Sequence, residues 1–60
     1  MFQMKFVYRK MGGRYHVHVF TRTLPTETYA NCGIVVFDEK EWNECHYKLG
    51  QIGIVERGEN

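Results

Sequence analysis

Gln3-Met4-Lys5-Phe6-Val7-Tyr8-Arg9-Lys10-Met11-Gly12-Gly13-Arg14-Tyr15-His16-Val17-His18-Val19-Phe20-Thr21-Arg22-Thr23 decides the architecture of this chain. Two glycines between two alternating runs are a strong hairpin signal. A tight primed turn needs positive φ at both central positions, and glycine adopts that without steric cost. A turn at Gly12-Gly13 fixes the register. Counting outward pairs Met11 with Arg14, Lys10 with Tyr15, Arg9 with His16, Tyr8 with Val17 and Val7 with His18, then Phe6 with Val19, Lys5 with Phe20, Met4 with Thr21 and Gln3 with Arg22. These are strands β1 (residues 3–11) and β2 (residues 14–22).

Side chains of a strand alternate between faces, so the pairs sort into two sets. Met4, Phe6, Tyr8, Tyr15, Val17, Val19 and Thr21 form one face, apolar enough to be the core side. The other face carries Gln3, Lys5, Val7, Arg9, Arg14, His16, His18, Phe20 and Arg22. It is basic, holds two histidines and has an apolar island at Val7 and Phe20. Antiparallel sheets commonly leave one side in water, so this face is either a solvated exterior or a contact surface. As a contact surface its composition, aromatic and arginine-rich with few lysines, is that of an interface centre. The candidate binding residues are Lys5, Arg9, Arg14, His16, His18, Phe20 and Arg22.

Beyond Arg22 the alternation breaks. Residues 23–31, with the single proline, read as a loop that is either a plain surface connection or a recognition element. Cys32-Gly33-Ile34-Val35-Val36-Phe37 is β-branched and predicts a third strand, β3, buried on at least one face. Asp38-Glu39-Lys40-Glu41 then reads as a helix start. Asp38 can cap free N–H groups, Glu41 stands three residues on as in a capping box, and Phe37 and Trp42 have the spacing of a hydrophobic staple. Trp42, Cys45, His46 and Leu49 make one stripe of this helix, α1, with Trp42 and Leu49 expected on the core face of the hairpin and Gly50 as the expected stop. Ile52, Ile54 and Val55 predict a short last strand, β4, whose pairing partner is open. The expected fold is α+β: a single small domain, residues 1–60, with a small antiparallel sheet in the order β1-β2-β3-α-β4 and the helix packed on one face.

A domain of 60 residues buries only about 60% of the surface its unfolded chain exposes, so a homo-oligomer, a dimer for preference, is expected to help stabilise it. The charge is divided: residues 1–24 carry +5 and residues 25–60 carry −4. Such a division can hold an anion, let copies dock head to tail, or simply keep a small protein soluble. Neither a basic-then-apolar leader nor a long apolar run is present, so a soluble cytoplasmic protein with free Cys32 and Cys45, without a membrane partner, is expected. Met4 offers a second translation start, which would make Met1 to Gln3 an extension.

Chemistry is thinly represented. The chain has no serine, which removes serine-based nucleophilic schemes. Cys45 and His46 are adjacent, so on a helix they point about 100° apart rather than into a thiolate pair. His16 and His18 could place two nitrogens beside a metal, but no Cys-x-x-Cys or His-x-x-x-His spacing supports one. The expectation is a non-enzymatic protein without a cofactor, with an anionic ligand such as a nucleotide or nucleic acid on the basic hairpin face as the alternative. A glycine-rich phosphate loop is missing, since Gly12-Gly13 joins two strands.

The segments Tyr8-Arg9-Lys10-Met11-Gly12-Gly13-Arg14-Tyr15-His16-Val17-His18-Val19 and Gly33-Ile34-Val35-Val36-Phe37-Asp38-Glu39-Lys40-Glu41-Trp42 together resemble small phage-encoded accessory proteins. The resemblance covers about half of the chain and is one of pattern. It implies inhibition of a host defence protein by direct binding in the host cytoplasm, or sequestration of a nucleotide signal. It assigns no site residues.

Overall fold

The computed structural model describes residues 2–59. It contains β1 (Gln3–Met11), β2 (Arg14–Arg22), β3 (Ala30–Asp38), α1 (Glu39–Ile52) and β4 (Ile54–Arg57). All nine β1–β2 pairs follow the register set by the turn. Gly12 and Gly13 have φ of 57° and 76°, the two positive values of a type I′ turn. The strands lie in the order β3-β2-β1-β4. β3 pairs antiparallel with β2, giving the expected antiparallel sheet of three strands, and β4, whose partner the sequence left open, adds to it in parallel beside β1, so the sheet is mixed. The cause is connectivity. β3 runs in the direction of β1, α1 carries the chain back, and β4 must then start again in that direction on the far edge.

The core lies between this sheet and α1. Phe6, Val17 and Trp42 are its buried centre, with Met4, Tyr8, Tyr15, Val19, Phe37, Leu49 and Val55 packed around them. The helix begins as expected. Asp38 Oδ1 accepts from the Glu41 amide at 2.8 Å, and the Asp38 amide donates to Glu41 Oε1 at 3.0 Å. The Phe37 and Trp42 rings meet across the cap with centroids 5.9 Å apart. Asp38→Ala should therefore destabilise the fold by about 1 kcal/mol, read as a lowered urea midpoint, while Asp38→Asn should keep most of the cap.

Three expectations are corrected. The helix does not stop at Gly50 but runs to Ile52, closing where the Gly53 amide donates to Leu49 O at 2.9 Å. Gly50 needs no special φ, and one glycine costs a helix only about 1 kcal/mol. β3 is not buried on either face along most of its length: Ile34, Val35 and Val36 are 52%, 45% and 46% exposed. It forms a sheet edge, and α1 crosses from its end toward β4 without covering it. Gln3, placed in an extension by the second start, is an integral residue of β1. Among the described residues no helix is long and apolar enough to cross a membrane.

Candidate binding face

Because Trp42 and Leu49 lie on the Phe6 and Val17 side, the opposite side of the sheet carries no helix. All seven candidate residues share that side through the β1–β2 register. Neighbouring strands extend it. His16 sits between Arg9 and Val36, His18 between Val7 and Ile34, and Phe20 between Lys5 and Asn31. On the other flank Ile54 lies beside Lys5, and Glu56 beside Val7. Sharing a face does not make one patch. Arg14 and Arg22 are eight residues apart on one strand, roughly 26 Å at 3.3 Å per residue, so the face has two basic ends.

The end away from the turn is the more built. Residues between Arg22 and β3 fold tightly: the Glu27 carboxylate accepts from the amides of Thr23 at 3.0 Å and Leu24 at 2.8 Å. The Glu27 amide in turn donates to Leu24 O at 3.0 Å. This folded connection delivers Tyr29, whose ring centroid lies 4.2 Å from the Arg22 guanidinium carbon and 4.6 Å from Lys5 Nζ. Lys5 Nζ is also 5.6 Å from the Phe20 centroid. Arg22 is fixed further by donating through Nε to Gln3 Oε1 at 2.7 Å and through Nη1 to Glu27 O at 3.2 Å. Two cations thus lie close to one phenol ring, and each is attracted to the ring quadrupole. Among the described residues neither is in a salt bridge. Tyr29 also lines a cavity of about 170 Å³ with Phe2, Gln3, Met4, Ile52, Gly53 and Ile54.

At the turn end, Arg9 and Arg14 are exposed. The Arg9 side chain passes over Gly58, whose amide donates to Tyr8 O at 2.8 Å. The His18 and Phe20 rings lie 6.5 Å apart along β2. On the helix side a hollow of about 250 Å³ is lined by Tyr8, Lys10, Tyr15, Trp42 and Arg57. Its lysine is occupied by a salt bridge from Nζ to Glu39 Oε2 at 3.2 Å, and that hydrogen bond and charge raise the Lys10 pKa above the usual lysine value.

The remaining reactive side chains have structural surroundings. His46 Nδ1 is 2.8 Å from Trp42 O, and its ring stacks on Trp42 with centroids 5.4 Å apart. Cys32 is exposed, with Sγ 3.0 Å from Thr21 Oγ1, and Cys45 is half-buried; both are free. Among the described residues no group of three or more His, Cys, Asp or Glu side chains is placed to hold a metal ion.

Sequence reasoning placed the hairpin residues and missed Tyr29, Ile34, Val36 and Ile54. Tyr29 has no periodic signal. Ile34 and Val36 could be assigned to a face only once the pairing of β3 with β2, which sets them beside His18 and His16, was known. No protein-family model matches the chain, and neither a curated protein nor a solved structure is found similar to it.

Proposed function

We propose that this chain is a non-enzymatic binding module that acts by covering a protein partner with its helix-free sheet face. The supporting observation is the composition of that face. Val7, Phe20, Ile34, Val36 and Ile54 form an apolar band interrupted by His16 and His18, and Lys5, Arg9, Arg14 and Arg22 stand around it. An apolar and aromatic centre with an arginine border is how protein interfaces differ from ordinary surface, and it fits a partner with an apolar patch ringed by carboxylates. The resemblance to phage accessory proteins supplies the class of partner in this reading, a host defence protein that is inhibited when covered.

A second reading rests on a separate observation. Lys5 and Arg22 both lie close to the Tyr29 ring, and among the described residues neither is in a salt bridge, so the pair could meet the phosphate of a nucleotide.

The two readings separate in one comparison. Wild-type and Phe20→Ala protein are purified from the host and weighed by native mass spectrometry at low and moderate salt. For a protein partner, Phe20→Ala should weaken the complex by about 2 kcal/mol, roughly thirtyfold, with little change in salt response. For a nucleotide, a small adduct should instead be lost as salt rises and abolished by Arg22→Glu. A partner held equally well by wild type, Phe20→Ala and Arg22→Glu would take this face out of the function.

A further inference from the structure

We propose that β3 is an assembly strand, and that two copies pair antiparallel along it about a two-fold axis at Val35, joining two four-stranded sheets into one of eight. The two edges of the sheet are unequal. β4 has four residues and carries Glu56 and Arg57, whereas β3 has nine and no charged residue from Ala30 through Phe37. Edge strands are normally guarded by shortness, charge, proline or a bulge; β3 has no charge or proline from Ala30 through Phe37, and its irregularity lies near Asn31 and Cys32, which leaves the run Gly33–Phe37 regular and unguarded.

The backbone is also free where it needs to be. A type I′ turn makes Met11 and Arg14 a hydrogen-bonded pair, and alternation then turns the N–H and C=O groups of Tyr15, Val17 and Val19 toward β3. These meet Phe37, Val35 and Gly33. The N–H and C=O groups of Ile34 and Val36 therefore point outward from the sheet.

A two-fold axis demands that a strand complement itself, and this one does. With Val35 opposite the partner's Val35, Ile34 and Val36 exchange hydrogen bonds with the partner's Val36 and Ile34, and four aliphatic side chains meet on the helix-free face. On the helix side Phe37 falls opposite the partner's Gly33. A Cβ at Gly33 would meet nothing within 4 Å, and φ of 148° suits that position to glycine, so the phenyl ring has an open site to cover. Asp38 falls opposite the partner's Cys32, so no like charges face each other. Only three side chains are buried in each copy among the described residues, and the pairing covers the outer flanks of Ile34, Val35 and Val36 in both while leaving the open face of the sheet accessible. It also sets both helix-free faces on one side, with the two Lys5–Tyr29–Arg22 clusters at opposite ends.

The test is the mass in solution at micromolar concentration, by sedimentation or native mass spectrometry. Wild type should weigh twice 7.2 kDa and remain so in high salt. Val35→Lys should weaken the dimer about a hundredfold, because the new charges face each other at the closest pair, and Val35→Glu should do the same. Mixing the two variants should restore a dimer. If either variant fails to fold, Val35→Cys in a Cys32→Ala, Cys45→Ala background decides the matter, since treatment with a two-electron thiol oxidant such as diamide should join two copies in a covalent dimer. The proposal is overturned by a wild-type monomer, by a dimer that dissolves in salt as head-to-tail charge docking would, by a folded Val35→Lys that stays dimeric, or by a Val35→Cys chain that does not cross-link. None of these outcomes depends on whether the sheet face binds a partner.

Discussion

Trp42→Ala should remove the cooperative unfolding transition of this domain. Trp42 is one of the three side chains buried among the described residues and the junction of the aromatic core. Its ring stacks on Tyr15 with centroids 4.7 Å apart and an interplanar angle of 11°, and it meets Tyr8 at 4.8 Å, Phe37 at 5.9 Å and His46 at 5.4 Å. Truncating a buried tryptophan to alanine costs about 3–5 kcal/mol. At roughly 0.05–0.15 kcal/mol per residue, a chain of this length holds about 3–9 kcal/mol in total. The loss therefore consumes much or all of the stability. Helix α1 is the element released, because Trp42 and Leu49 are what hold it on the sheet. Urea unfolding followed by far-ultraviolet circular dichroism is the measurement, since the fluorophore itself is removed. Trp42→Phe should keep a transition at a lower midpoint. A Trp42→Ala protein that still unfolds cooperatively near the wild-type midpoint would mean that α1 is held by something other than this cluster.

The parts of the structure that could be read in the sequence are those decided locally. Gly12-Gly13 sets a turn, the turn sets a register, and the register places nine pairs and two faces without knowledge of any other element. Asp38, Glu41, Phe37 and Trp42 likewise define a helix start within six residues. What could not be read depends on partners distant in sequence. Ile34-Val35-Val36 looks buried because β-branched runs usually are, yet burial depends on what lies beyond the strand, and β3 lies at an edge. The direction of β4 follows from the path of the crossover, which no single residue encodes. At the candidate site the seven hairpin residues were legible as one face, and the strand rise already set Arg14 and Arg22 apart, but which end gathers further groups was not legible. Tyr29 was out of reach for another reason: its position over Lys5 and Arg22 depends on the Glu27 carboxylate gathering two amides of its own loop.

Gly53→Ala should destabilise the domain, while Gly50→Ala, three residues earlier, should stabilise it. Gly53 has φ of −164°, extended backbone that any residue adopts, so its requirement is for space and not for glycine's conformational range. A Cβ there would run into the Met4 carbonyl, lying 2.9 Å from its carbon and 3.0 Å from Met4 Cβ. The obstacle is the backbone of β1 and cannot rotate away. The end of α1 and the start of β4 would have to move off β1, straining the parallel pairs Lys5–Ile54 and Phe6–Val55 and drawing Val55 from the core. Overpacking of this kind costs about 1–3 kcal/mol, occasionally more. At Gly50 a Cβ meets nothing within 4 Å, and replacing a helical glycine by alanine gains about 0.4–1 kcal/mol, chiefly by restricting the unfolded chain. Urea midpoints at an unchanged slope should therefore move in opposite directions. Displacing β4 also displaces Ile54 and Glu56 from the helix-free face, so on the proposed reading Gly53→Ala should weaken partner binding even in protein that remains folded, whereas Gly50→Ala should leave it intact. Equal midpoints for the two variants would mean that β4 is not seated against β1, and the binding face would then narrow to three strands.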